Sequence, residues 1–287
     1  MQVQNSAAPT SAQHLTVWVN GVRYESQSAA KVPATDHGLV VGDGVFEALK
    51  VTRAGPFAVQ RHLNRLSRSA AAMGLPAPDH AGIRAAIEEV LDGRGFDHGR
   101  LRITYTGGIG PLSSSAAYGP PTLVVAAGPE EPPAAFTSIV TAPWTRNERG
   151  ALSGVKSTSY AENVRTLAYA TRRRATEAIF LNTEGNVCEG TGTNIFVVMD
   201  GTIVTPPLSS GPLSGITREV IMEWCDVEER DFTLTEAMVA KEVFITSSLR
   251  DVQAVHRWDE IDLGTSHPMT DHIAATFAER SSAIIDP

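Results

Sequence analysis

Three short stretches of this chain hold residues able to do chemistry together. Lys156 lies in Gly154-Val155-Lys156-Ser157-Thr158-Ser159-Tyr160-Ala161-Glu162-Asn163-Val164, Glu189 in Cys188-Glu189-Gly190-Thr191-Gly192-Thr193-Asn194, and Thr217 in Leu213-Ser214-Gly215-Ile216-Thr217-Arg218. A lysine amine condenses with an aldehyde, and a carboxylate keeps a facing ring nitrogen protonated. A glycine turn opening a helix binds phosphate through free amides and the helix dipole. Pyridoxal 5'-phosphate presents an aldehyde, a pyridine nitrogen and a phosphate as three separate handles, so the three stretches together describe a site for it.

Each stretch alone has an ordinary explanation. A single lysine is usually a solvated surface group, Glu189 by itself is an acid in a glycine-threonine loop after a strand and turn, and glycine turns before helices are common. Yet Lys156 has Val155, Ser157, Thr158, Ser159 and Tyr160 around it and no adjacent charge, the setting of a buried amine. Desolvation of that kind is what makes a lysine available as a nucleophile. Thr246-Ser247-Ser248 at the end of a strand adds hydroxyls and amides for a phosphate, and Arg65 in His62-Leu63-Asn64-Arg65-Leu66 adds a guanidinium fork.

Composition bounds the rest. The 287 residues, 42% of them hydrophobic, suffice for two compact domains or one large one, and a net charge of -8 argues against a nucleic-acid partner. Two cysteines, Cys188 and Cys225, are too few for a disulfide framework and suggest a reducing interior. Neither they nor the eight histidines show metal-ligand spacing, so no metal is expected. No apolar run is long enough for a membrane span, and the polar opening from Met1 to Gln13 lacks the core of a signal peptide. It reads as a flexible arm over 1–14 of a cytoplasmic protein.

The elements that must position these residues alternate between strand and helix, a mixed α/β pattern. Asn20-Gly21 between Leu15–Val19 and Val22–Tyr24 predicts a hairpin. Val45–Thr52 is a strand turned by Ala54-Gly55-Pro56 into Phe57–Val59; a helix carrying Leu63, Leu66, Ala70 and Met73 follows. Asp79 caps a second helix with Ile83, Ile87, Val90 and Leu91 inward, and strands follow at Leu101–Thr106 and Thr122–Ala126. Gly128-Pro129-Glu130-Glu131-Pro132-Pro133 reads as a linker, giving a small domain over 15–128, a linker at 129–134 and a larger domain over 135–287. The larger domain is expected to hold strands at Thr137–Ala142, Ala178–Asn182, Ile195–Val198, Ile203–Thr205, Val243–Thr246 and Val252–His256. Its helices are expected over Tyr160–Arg174, from Thr217, and over Asp271–Arg280.

On Asp43-Gly44-Val45-Phe46-Glu47, the His62–Leu66 stretch, the Lys156 segment, Glu189–Asn194, Gly215-Ile216-Thr217-Arg218 and Thr246-Ser247-Ser248, the chain resembles the class IV aminotransferases, the fold type IV pyridoxal phosphate enzymes. The resemblance runs from about Val17 to about Val255. It implies a two-domain α/β fold with the cofactor between the domains, Lys156 as the Schiff-base lysine and Glu189 on the pyridine nitrogen. It also implies Arg65, Ile216, Thr217 and Ser248 on the phosphate with Ser247 beside them. Tyr160 falls near a family tyrosine on the cofactor's phenolic oxygen, although its spacing from the lysine differs by one from the branched-chain enzymes. The family forms homodimers whose pockets borrow a loop from the neighbouring subunit, and a homodimer is expected here.

The implied reaction is ping-pong transfer of an amino group from an amine donor to a 2-keto acid acceptor, with Lys156 as tether and acid/base. Aminodeoxychorismate lyase, releasing pyruvate and 4-aminobenzoate, is the alternative, and branched-chain L-amino acid transamination a second. The arginine and histidine that clamp the carboxylate in D-amino acid aminotransferases are missing from Thr106-Gly107-Gly108-Ile109-Gly110-Pro111-Leu112. The Gly-Thr-Ala turn of the branched-chain enzymes is replaced by Thr246-Ser247-Ser248-Leu249-Arg250-Asp251. Phe46, Lys50, Arg146 and Arg250 are candidates for the substrate pocket; a structural loop pairing is the other reading of Arg146 and Arg250. A phosphate-binding protein without chemistry is a further alternative, and such a protein would need neither Lys156 nor Glu189.

Overall fold

The computed structural model describes residues 15–287, so the arm expected at 1–14 lies outside the described residues. The chain divides into two compact units, one ending at Pro132 and the other beginning at Pro133.

The first unit contains β1 (Thr16–Val19), β2 (Val22–Tyr24), α1 (His37–Val40), β3 (Gly44–Thr52), β4 (Gly55–Pro56), α2 (Val59–Ala72), α3 (His80–Leu91), β5 (Gly99–Thr106) and β6 (Thr122–Pro129). Its strands form one sheet in the order β2-β1-β6-β5-β3-β4, antiparallel throughout. Asn20 at φ 45° and Gly21 at φ 93° supply the positive dihedrals of the expected hairpin turn. Asp79 caps α3 by accepting the Ala81 amide at 3.0 Å, and Ile83, Ala86, Ile87 and Val90 are its buried face; Leu91 is only half-buried. The strand expected over Phe57–Val59 does not form. The Phe57 amide closes onto the Lys50 carbonyl at 2.9 Å, Ala58 turns left-handed at φ 56°, and α2 starts at Val59.

Alternation along β3 places Glu47 on the face of Val45 and Leu49, toward α2. There the fully buried carboxylate accepts Arg65 Nε at 2.9 Å, Arg65 Nη2 at 2.6 Å and His62 Nδ1 at 2.6 Å. Burial alone would raise its pKa, but the charge and hydrogen bonds of Arg65, joined by His62, outweigh that and hold Glu47 at about 2.

The second unit contains β7 (Phe136–Arg146), α4 (Ala161–Arg172), β8 (Glu177–Asn182), β9 (Val187–Gly190), β10 (Asn194–Met199), β11 (Thr202–Thr205), α5 (Ile216–Trp224), β12 (Glu228–Glu229), α6 (Leu234–Ala237), β13 (Glu242–Ser247), β14 (Asp251–Trp258), β15 (Ile261–Asp262) and α7 (Pro268–Ala283). The main path of its sheet is β12-β11-β10-β13-β14-β7-β8-β9, with β15 on β14. The β14-β7, β7-β8 and β11-β12 pairs are parallel. Period-two alternation sorts the apolar residues into two layers. Ile139, Ile179, Val187, Ile195, Val197, Val243 and Ile245 fill one face with Phe232 and Trp258, while Val140, Ala178 and Phe180 meet Ala170 of α4 on the other. Helix α4 stops at Arg172, short of the expected Arg174, because Arg174 turns left-handed at φ 58°. At one sheet edge the Val187 amide bonds the Phe232 carbonyl at 2.9 Å and Asn186 bridges Thr233; at the other, β12 exposes two glutamates. No helix among the described residues is long and apolar enough to cross a membrane.

A carboxyl that holds its proton less tightly folded than unfolded stabilises the fold above its unfolded pKa and loses that contribution as pH falls. For Glu47 the window runs from the usual 4.5 down to about 2. Glu47→Gln is expected to flatten the Tm-against-pH curve across that window and to cost about 3 kcal/mol at neutral pH, measured by urea denaturation.

Candidate active site

Glu189 reaches its position through an irregularity in strand pairing. Leu181 pairs with Val187, yet Phe180 pairs with Glu189, so Cys188 is one residue extra on β9. A bulge of this kind re-aims the side chain that follows it. Without it Glu189 would share the face of Val187, in the Ile139–Ile179 layer; with it the carboxylate lies on the face of Phe180, the side of α4. Glu189 is therefore a strand residue, and the glycine-threonine loop expected around it begins only after Gly190.

Two groups brace that carboxylate. Oε2 accepts the Leu213 amide at 2.9 Å, and Arg146 Nε stands 3.4 Å from Oε1. Arg146, the last residue of β7, lies 4.2 Å over the Phe180 ring, donates to Glu162, and places both terminal nitrogens 3.3 Å from Asn163 Oδ1. Burial raises the Glu189 pKa above the ordinary carboxylate range; Arg146, the Leu213 amide and Lys156 oppose the rise without cancelling it. Lys156 is half-buried, with Nζ 6.0 Å from the centre of the Tyr160 ring. Tyr160, just ahead of α4, donates its hydroxyl to the Thr191 carbonyl at 3.0 Å, and burial followed by the Glu189 charge raises its pKa. Lys156, Tyr160, Arg146 and Glu189 are thus brought together.

The loop after β9 is pinned by Glu177. This buried carboxylate accepts the Thr191 amide at 2.8 Å, the Gly192 amide at 3.3 Å and the Thr193 hydroxyl at 3.0 Å. Asn163 donates to the Thr191 carbonyl as well. Neither Glu177 nor Asn163 stood out in the sequence. Asn163 lies seven positions past the lysine in a segment already under scrutiny, whereas no local pattern marks Glu177.

Helix α5 opens at Ile216 with Ile216 and Thr217 buried in its first turn. Asn194 Nδ2 donates to the Leu213 carbonyl at 2.8 Å, and a Cβ on Gly215 would lie 1.9 Å from Asn194 Oδ1, so only glycine lets the turn come this close. Thr246 pairs with Asn194 across β10 and β13 and shares its face. Its hydroxyl is buried and has no hydrogen-bond partner among the described residues. A buried donor without an acceptor is costly, and beside a helix N-terminus a phosphate oxygen would satisfy it. The braced carboxylate, the nearby lysine and this anion-seeking corner fit pyridoxal 5'-phosphate.

The other candidates have local partners of their own. Ser247 accepts the Arg250 amide at 3.2 Å with both its carbonyl and its hydroxyl, and Ser248 follows it. Arg250 bonds Gln253 Oε1 at 2.6 Å, Thr176 Oγ1 at 3.2 Å and the Thr176 carbonyl at 3.1 Å. Arg146 likewise has structural partners in Glu162, Asn163 and Glu189. In the first unit Arg65 is bound to Glu47, Phe46 lies 3.8 Å under the Arg102 guanidinium, and the nearly buried Lys50 points its Nζ at the Phe57 ring, 5.7 Å from the centre.

The model of the amino-transferase class IV family matches residues 44–258. A D-alanine aminotransferase of Bacillus licheniformis is 30% identical, over 88% of this chain and 92% of its own. A bifunctional aminodeoxychorismate lyase/D-amino acid transaminase of Mycobacterium tuberculosis is also 30% identical, again over 88% and 92%. Among solved structures, a branched-chain aminotransferase of Thermoproteus uzoniensis superimposes with a TM-score of 0.85 at 28% identity, covering 92% of this chain and 93% of that one.

Because Thr246 Oγ1 has no hydrogen-bond partner among the described residues, Thr246→Val is expected to leave the stability of the cofactor-free protein unchanged or slightly raised. The same change is expected to weaken pyridoxal phosphate binding by about tenfold, the worth of one hydrogen bond to a charged group. Pyridoxal, which lacks the phosphate, is expected to bind both proteins alike in absorbance titrations.

Proposed function

Because the chain belongs to the class IV aminotransferase family, whose members use pyridoxal 5'-phosphate, we propose that it moves an amino group from a D-amino acid or (R)-amine to a 2-keto acid. The observation that carries this reading is the braced Glu189 carboxylate with the Lys156 charge beside it, on the sheet face that also presents Asn194 and Thr246. A phosphate-binding protein without chemistry would need neither group. The D-amino acid preference is supported by the names of two relatives.

In this proposal Lys156 tethers the cofactor, and Ile216, Thr217, Ser247, Ser248 and Arg65 hold its phosphate. When bound, the cofactor supplies an electrophilic carbon for the substrate amine and a ring that takes up electron density. Lys156 Nζ would take the proton from the substrate Cα and return one at the end of the half-reaction. Glu189 would keep a proton on the ring nitrogen, and the Tyr160 hydroxyl would serve the phenolic oxygen. Phe46 and Lys50 shape the substrate pocket. The keto product leaves before the keto acid acceptor enters. A homodimer in the cytoplasm is the proposed state, in keeping with two unpaired cysteines, one buried and one half-buried.

Lys156→Ala is expected to abolish both the visible absorption of the bound cofactor and all turnover, and borohydride trapping followed by peptide mapping is expected to label Lys156. D-Alanine or (R)-phenylethylamine is expected to bleach the visible band in a half-reaction. Bleaching by L-leucine alone would assign the branched-chain activity, and release of 4-aminobenzoate and pyruvate from aminodeoxychorismate without any keto acid would assign the lyase.

A further inference from the structure

We infer that Arg146 is the positioning residue for Glu189: braced by Glu162 and Asn163, it holds the Glu189 carboxylate in place and negatively charged toward the cofactor's ring nitrogen. The inference rests on the proposed role of Glu189 as the partner of that nitrogen.

The geometry is that of a clamp. Arg146 Nε lies 3.4 Å from Glu189 Oε1, is buried, and makes no hydrogen bond among the described residues, so the carboxylate is the group it serves. The guanidinium is fixed on its other sides. Phe180 lies 4.2 Å from one face, Glu162 takes Nη1, and Asn163 Oδ1 stands 3.3 Å from both terminal nitrogens. Asn163 is itself fixed through the Thr191 carbonyl. An arginine with these partners is poorly placed to follow a substrate carboxylate.

The electrostatic need is equally specific. The Glu189 side chain is 13% exposed, and a carboxylate so enclosed takes up a proton unless cations or amides oppose it. A neutral Glu189 would offer a proton where one has to be held. The charged groups acting on it are Arg146 and Lys156 in its favour and Glu177 against, with Tyr160 and Cys188 as neutral neighbours. Lys156 moves protons during turnover, which leaves Arg146 as the permanent positive charge.

The test uses the full chain, Arg146→Met and Arg146→Lys, each alone and combined with Glu189→Gln. Two quantities are read: the titration midpoint of Glu189 in the cofactor-free protein, by carboxyl carbon NMR, and the affinity for pyridoxal phosphate, by absorbance. Arg146→Met is expected to raise the midpoint and weaken the cofactor about tenfold, with Arg146→Lys recovering part of the loss. In the Glu189→Gln background the same change is expected to do nothing further, because a residue acting only through Glu189 has nothing left to act on. An unmoved midpoint, an equal loss in both backgrounds, or a rise in KM for the amino acid alone would overturn the inference. Should Arg146→Met fail to fold, Asn163→Ala, which removes the neutral brace on both terminal nitrogens of the guanidinium, is expected to shift the midpoint the same way by less, and no shift counts against Arg146. If Glu189→Gln leaves the cofactor's affinity and absorption unchanged, the ring-nitrogen reading fails, while the midpoint in Arg146→Met still decides the role of Arg146.

Discussion

A buried carboxylate at the start of β8 sets the geometry of the second unit's site. Glu177 is nearly inaccessible, and a charge removed from water must collect donors or unfold its surroundings. It collects them from one short stretch, Thr191 to Thr193, along with the Ala178 amide at 2.9 Å. With the amide of Thr191 tied down, its carbonyl is left facing Tyr160 and Asn163 at the start of α4. Asn163 in turn meets Arg146, and Arg146 meets Glu189. The position of Glu189 thus follows, through the Thr191 backbone and the side chains of Asn163 and Arg146, from how a different acid satisfies its own desolvation.

Glu47 and Glu189 show what decides the state of a buried carboxylate. Both lose water. Glu47 gains two short bonds from one guanidinium and a third from His62, and its pKa falls to about 2. Glu189 gains one amide and a guanidinium at 3.4 Å, and its pKa rises. The difference is the number and closeness of donors, not the depth of burial. The first arrangement is an anchor that stays ionised across the physiological range. In the second, neighbouring charges decide the outcome, which suits the ring-nitrogen role proposed for Glu189.

The sequence made legible whatever local chemistry determines. Asn20-Gly21, the Asp79 cap and the glycine ahead of α5 are short-range signals, and the elements they announce form where expected. The family could be read because Lys156, Glu189 and Thr217 each carry a recognisable neighbourhood. What could not be read depends on partners far along the chain. The bulge at Cys188 that turns Glu189 to the α4 side of the sheet comes from pairing with β8, and the Glu177 bonds span 14 to 16 positions with no periodicity to announce them. Ala58 takes a left-handed turn that alanine seldom adopts, which is why a strand was expected where α2 begins.

The borders of the sheets carry a consequence for life in a crowded solution. A strand with open amides on its outer side is a template on which a second chain can lengthen the sheet. Here β9 is already partnered by the segment at Phe232–Thr233, β12 at the opposite border is two residues long and doubly acidic, and in the first unit β4 ends in Pro56, which has no amide to offer. Foreign strands find little to extend at these three borders.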